Sequence, residues 1–407
     1  MTSIVENPAM DIQHLMRAGT LNITSLPPLS LYIHLPWCLK KCPYCDFNSH
    51  EKPSQWSEQE YIDALLYDLD QQKNSVRGRR LETLFIGGGT PSLFSPESFD
   101  RLLRGIDASI SIAPNAEITL EANPGASDAE RFRRYRDIGI NRLSIGIQSF
   151  NDELLKKIGR VHDGREASMA ASMAREAGFC EFNLDLIFGL PGQTEALALS
   201  DIETAIQLEP THISFYQLTL EPNTLFYKFP PKLPNEDLTW SIQEVGQARL
   251  KEAGYGQYEV SAYARAGSRA RHNLNYWTFG DYLGIGAGAH GKITDSVTGA
   301  ICRTERLKMP QSYMKAAQSG ASLGTERRIQ DDEIAFEFLM NGLRLREGFK
   351  MEDFMARTRL KPETLEPTLS RLLNQELLER APDGIRCTSH GYNFLDTILQ
   401  SFLNTPC

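Results

Sequence analysis

The chain has 407 residues, 41% hydrophobic and 23% charged, which is enough for two or three domains or for one large α/β barrel with an appendage. Its 43 basic and 52 acidic side chains leave a formal net charge of −9, which weighs against a general binder of nucleic-acid backbones. The first residues show no positive segment followed by an apolar run, and no apolar stretch approaches the roughly 20 residues that span a bilayer, so a cytoplasmic protein is expected.

Residues 1–29 are set apart as an N-terminal segment. From residue 30 to about 235, short β-rich runs alternate with amphipathic stretches, the pattern of a βα-repeated fold with a parallel sheet. The runs are "LSLYIHLP", "ETLFIGGGTP", "AEITLEANP", "RLSIGIQSF", "FNLDLIFGLP" and "HISFYQLTLEP". Between the first two, Tyr61, Leu65 and Leu69 recur at helical spacing beside Ile62 and Leu66; after the fifth, Ile202 and Ile206 share one face before a proline stop. Six such units predict a partial (β/α)6 barrel.

Residues 236–320 form a Gly- and aromatic-rich extension with the motif "HNLNYW". Residues 321–407 read as a small helical domain, in which a helix, a Pro382-Asp383-Gly384 turn and a second helix suggest a winged-helix-like unit. Acids outnumber bases in this last region, so structural packing is the better reading than DNA binding.

Seven cysteines form no even disulfide framework, and three of them, Cys38, Cys42 and Cys45, crowd one loop after the first run. Buried core cysteine suits a lone residue such as Cys180 better than this cluster. A zinc site would need His34 or His50 as fourth ligand, without the paired spacing that structural zinc uses. The favoured reading is an iron–sulfur cluster on three thiolates, with one iron keeping an open place. The other residues of chemical interest, Gly87 to Thr90, Glu121, Gln148 and Asp185, also follow the ends of the runs. Parallel βα folds carry their sites there.

The spacing C-x₃-C-x₂-C on the first βα loop resembles the radical S-adenosylmethionine (SAM) superfamily. That resemblance implies a [4Fe–4S] cluster on Cys38, Cys42 and Cys45, whose open iron chelates the amino and carboxylate groups of SAM and whose electron cleaves it to a 5′-deoxyadenosyl radical. It also implies that Tyr44 lies near the adenine and that the loop carrying Gly88, Gly89 and Thr90 takes the SAM ammonium. Glu121 and Arg160 supply the two signs that a zwitterionic amino acid moiety needs. Gln148 and Asp185 can accept from ribose hydroxyls. Tyr32, in the first run, is counted with these cofactor-contacting residues.

"YIHLPWC", "GGGTPS", "EANP", "SIGIQSF", "GRVH", "NLDLIFGLPGQT" and "YLGIGAGAHG" resemble the coproporphyrinogen III dehydrogenase (HemN-like) branch over residues 30 to 400. Oxygen-independent coproporphyrinogen oxidases of this branch carry a further cysteine where this chain has Phe47, and a longer segment before the first strand. The haem chaperone HemW subfamily carries H-N-x-x-Y-W, met here by His272, Asn273, Tyr276 and Trp277. This implies a protein that binds haem and passes it to an acceptor, possible membrane-associated respiratory proteins included, from a donor not named by the sequence. His272 is the expected haem ligand, with His212 and His290 as rivals. A homodimer is compatible with the resemblance, and no nucleic-acid partner is expected. The alternatives are a coproporphyrinogen oxidase-like radical SAM enzyme acting on a tetrapyrrole, and a tRNA-modifying enzyme, for which no basic module is visible.

Overall fold

The six β-rich runs form six strands in the computed structural model, which describes residues 26–126 and 129–403. They are β1 (Leu29–Leu35), β2 (Leu81–Gly88), β3 (Ile112–Ala122), β4 (Arg142–Gln148), β5 (Glu181–Phe188) and β6 (His212–Gln217). The first 25 residues of the expected N-terminal segment lie outside the described residues. Side chains of β1 are buried on both faces, as in parallel strands with helices outside and a lined interior.

The intervening helices start on side-chain caps. Ser57 accepts from the Glu60 N–H ahead of Glu58–Gln72, and Asp163 with Glu166 closes a capping box ahead of Gly164–Glu176. Tyr61, Ile62, Leu65 and Leu69 of Glu58–Gln72 are buried in the main core, and Leu66 is partly buried against it. Glu195–Gln207 likewise buries Ile202 and partly buries Ile206.

β1 to β6 lie side by side, parallel and in chain order. The sheet does not stop there. Gly256–Gln257 (β7) and Ala262–Ala264 (β8) return antiparallel on the β6 edge. Asp281–Ile285 (β9) lies parallel to β1 on its free edge, with Leu29 opposite Asp281 and Ile33 opposite Ile285. His290–Thr294 (β10), Ile301–Arg306 (β11) and Leu323–Arg328 (β12) extend that side antiparallel. The described residues thus hold one sheet of twelve strands, in the order β12-β11-β10-β9-β1-β2-β3-β4-β5-β6-β8-β7.

The expected division at residues 235 and 236 therefore separates no sheets. β2 covers one edge of β1, and the "YLGIG" segment satisfies the backbone groups of the other. Its glycines permit the fit, since a Cβ on Gly284 would stand 2.0 Å from the His290 carbonyl oxygen. Two buried carboxylates tie this extension to the barrel. Asp281 takes Arg79 at 2.8 Å and Lys292 at 3.0 Å, and Asp68 takes Arg306 at 3.1 Å together with Tyr313 and Ser322.

Past β12 the chain builds a second core around Phe338, Phe354, Leu369, Leu372 and Ile385. Helices Asp331–Gly342, Met351–Thr358 and Thr368–Asn374 precede an antiparallel hairpin, Leu378–Ala381 with Gly384–Cys387, and Leu395–Leu403 closes the unit. The hairpin turns at residues 382–383 and gains a third strand, Phe349–Lys350. Helix, hairpin and helix follow in the order of a winged helix.

Candidate functional site

Strand alternation puts every second side chain on the inner face. Thr119 and Glu121 of β3, Ser144, Gly146 and Gln148 of β4, Asn183 and Asp185 of β5, and Ser214 and Tyr216 of β6 all line one cavity of about 440 Å³. The cysteine loop closes its mouth, with Cys38, Cys42, Tyr44 and Cys45 in the lining beside Gly88, Gly89, Thr90 and Arg160. Eleven residues of the expected cluster and SAM site plus the inner strand faces therefore share one space; Tyr32 and His272 do not.

The loop is fixed at both ends. Trp37–Cys38 pairs parallel with His50–Glu51, and the Cys45 N–H donates to the Cys42 carbonyl at 3.2 Å. The Phe226 N–H donates to the Pro43 carbonyl, and Tyr44 packs at 6.5 Å on the Phe226 ring. Gly159, at φ +73°, lets Pro43 approach, because a Cβ there would lie 2.7 Å from its ring. The three thiols are free. Burial pushes the Cys38 and Cys45 thiols up, with Thr90 and Ser49 opposing the shift by hydrogen bonding. Among the described residues, no three His, Cys, Asp or Glu side chains gather around a single metal ion. Three thiolates that each bind a different iron of a cluster need no such convergence. The zinc reading loses one of its two candidate ligands: both ring nitrogens of His34 are engaged, by Tyr32 Oη and the Asn48 carbonyl at 2.9 Å each, while His50 has Nε2 on Asn48 Oδ1.

Opposite charges flank the thiols. The Gly88 N–H donates to Glu121 Oε2 at 3.0 Å. Burial pushes the Glu121 carboxyl up to about 7 against that bond, and the Asp185 carboxylate adds to the rise. Asp185 is itself raised by burial, although Ser144 and Asn183 donate to it at 3.0 and 2.8 Å. Arg160 donates to Asn123 Oδ1 and the Gly146 carbonyl at 2.7 Å each and approaches Cys42 Sγ at 3.6 Å; its buried Nε has no partner. Gln148 sits at φ +71°, a conformation uncommon for a residue with a Cβ, and its Oε1 accepts from Tyr216. The N–H groups of Gly89 and Thr90 are spent on Leu35 and Trp37 carbonyls, and Thr90 Oγ1 accepts from Asn123.

Ser144, Asn183, Ser214 and Tyr216 belong to this site without having been singled out by motif, and Asn123 joins them from the "EANP" segment. Period-two polarity along β4, β5 and β6 was the available signal.

The histidines are placed otherwise than expected. His272 is 1% exposed, with Nδ1 2.8 Å from Thr83 Oγ1 and Nε2 2.8 Å from Tyr276 Oη. Burial lowers its pKa to about 3, so it is neutral, and its one donor and one acceptor are both used. As placed, His272 locks helix Arg271–Trp277 onto β2 and offers no nitrogen to a haem iron. His212 is likewise closed, by Asn183 and Tyr258 at 2.7 and 2.8 Å. His290 is open, its side chain 62% exposed at the start of β10. It lines a second cavity, of about 680 Å³, together with Tyr32, Phe47 and Tyr276.

Residues 32–205 match the radical SAM superfamily, and residues 329–394 match the HemN C-terminal domain. The heme chaperone HemW of Haemophilus influenzae is 50% identical over 93% of this chain and 98% of its own length. The heme chaperone HemW of Escherichia coli is 48% identical, over 94% of this chain and 100% of its own. Among solved structures, the coproporphyrinogen III oxidase HemN of Escherichia coli, a radical SAM enzyme, superposes with a TM-score of 0.79 at 25% identity, covering 97% of this chain and 93% of that one. The chain belongs to the radical SAM superfamily and, within it, to the family of the heme chaperone HemW.

Proposed function

We propose that this protein binds haem and delivers it to an acceptor protein, with a [4Fe–4S] cluster and SAM held in the barrel. What carries the reading is the gathering of three free thiols, Glu121 and Arg160 in one cavity of a chain half identical to named heme chaperones. At about 440 Å³ the cavity lies within the ~300–1,000 Å³ usual for small-molecule sites.

Cys38, Cys42 and Cys45 would hold the cluster, which when bound supplies an iron with an open place and a single electron for SAM. The unpartnered Arg160 Nε is a buried donor that a carboxylate would satisfy. Glu121 would take the ammonium. The N–H groups of Gly88, Gly89 and Thr90 are committed, so that loop turns no free amide donor toward the same ammonium. Gln148 and Asp185 would receive ribose hydroxyls, and Tyr44 would pack on the adenine. The acceptor, a haem-dependent respiratory protein at a membrane, the cytoplasmic location and a cluster-dependent homodimer are parts of the same proposal. Among the described residues no helix is long and apolar enough to cross a membrane.

The test is haem delivery. Haem-loaded, cluster-reconstituted protein is mixed with membrane vesicles from haem-depleted cells, and the Soret absorbance of each fraction is followed with the vesicles' respiratory activity. Transfer that restores activity, and fails after Cys38→Ala, is expected. Haem that stays with the protein, alongside decarboxylation of coproporphyrinogen III in the presence of SAM and a reductant, would establish the oxidase reading instead.

A further inference from the structure

We propose that haem sits in the second cavity, against the outer side of the cysteine loop, with His290 as its iron ligand. This rests on the haem-binding part of the proposed function and replaces its expected ligand. The cavity, of about 680 Å³, lies between residues 45–50 of the loop, the turn that leads into β10, helix Arg271–Trp277 and Met340 of the C-terminal unit. Haem makes three demands on a site, and this one meets each.

A flat apolar macrocycle needs ring faces and apolar edges. Phe47, 55% exposed, lies on one side, and Tyr276 and Tyr282, edge to face at 4.6 Å, lie on another. Two propionates need cations at the rim. Lys41 and the largely exposed Lys308 line the cavity and can reach outward without breaking a buried network.

The iron needs an imidazole nitrogen with a free lone pair. His290 supplies it with neither ring nitrogen bonded: Glu305 Oε1 stands 3.9 Å from its Nε2, beyond hydrogen-bond distance, and no other described residue bonds its ring. The carboxylate is near enough to turn the ring and take its N–H once iron engages the other nitrogen. His34 borders the same cavity with both ring nitrogens engaged; His50 has its Nε2 on Asn48 Oδ1, which leaves its Nδ1 as the rival, and His50→Ala should keep the Soret band that His290→Ala moves. The ligand is also rigidly mounted. Asn48 donates to the Ala287 and Lys308 carbonyls at 2.9 and 2.8 Å, stitching the cysteine loop to the turn that presents His290. Cys45, Asp46, Phe47 and Ser49 line both cavities, so haem would lie one loop's thickness from the thiols.

Titration with haemin, followed in the Soret band under anaerobic conditions, tests the assignment in the full-length reconstituted protein. In His290→Ala the affinity should fall by about tenfold or more and the Soret maximum should move, while the cluster absorbance is retained. His290→Met should restore binding with the altered spectrum of a thioether ligand. Lys41→Glu with Lys308→Glu should weaken binding with an unchanged Soret position. Saturable wild-type binding that His290→Ala leaves untouched in affinity and spectrum would overturn this seat while the proposed function stands. A wild-type protein that binds no haem saturably would overturn both.

Discussion

Glu121 shows how one buried side chain sets the working range of the site. Its carboxyl, raised from 4.5 to about 7 by burial first and by Asp185 in addition, is largely protonated at slightly acid pH before a cation binds. A protonated carboxyl does not attract an ammonium. SAM affinity should therefore fall as pH drops below 7, by up to about tenfold per unit, and level off above it. The sign for stability is opposite. With a folded value above the unfolded one, the group's contribution is complete below pH 4.5 and is lost as pH rises through 7. SAM titrations between pH 6 and 8 check the first statement: Glu121→Gln should bind weakly with a flatter profile, and an identical slope in both proteins would assign the pH dependence elsewhere. Cysteine and glycine positions of this site were legible because their chemistry or conformational freedom is local. The closed bonding of His272 was not legible, because its partner Thr83 lies 189 residues away and a motif does not report which nitrogen is already taken.

At the scale of elements, the site depends on how closely the β2 loop packs under the cysteine loop. A Cβ on Gly89 would stand 2.6 Å from the Trp37 carbonyl oxygen, and one on Gly88, at φ +115°, would meet the His34 ring at 2.6 Å. The first obstacle is backbone, so it cannot rotate away. Gly89→Ala should push the Trp37–Cys38 strand outward at a cost of about 1–3 kcal/mol, and the displaced Cys38 should lower iron and sulfide per chain after reconstitution. Far-UV circular dichroism should stay unchanged, because the strands beneath are untouched; full cluster content in this variant would refute the packing argument. The six parallel strands were readable from short β-rich runs, near-continuously apolar in β1 and alternating with cavity-facing polar residues in β3 to β6. β9 was not. Its glycines, needed for close approach to the β10 backbone, read as loop in sequence, and nothing local says that β1 has an edge to fill.

On the scale of the whole molecule, the extension that carries His290 is joined to the barrel through Asp281. This residue is fully buried at the start of β9 and binds Arg79 from the barrel side, Lys292 from β10, and both the N–H and the hydroxyl of Thr294. Lys292 is itself 2% exposed and lies over the Phe279 ring at 4.2 Å. Burial pulls its pKa down, and Asp281 opposes that pull. Asp281→Ala would leave a buried ammonium without its counter-charge, a loss of about 3–5 kcal/mol. An exposed pair such as Lys156 with Glu153 is screened by solvent and contributes little, so Glu153→Ala serves as the control. Thermal melts should show a clear drop for Asp281→Ala and almost none for the control. Adding Lys292→Met to Asp281→Ala removes the stranded charge and fills its place over the Phe279 ring with an apolar side chain, so the double variant should recover part of the loss. If it recovers nothing, the lost bonds of Asp281 to Arg79 and Thr294, rather than the stranded Lys292 charge, account for the drop.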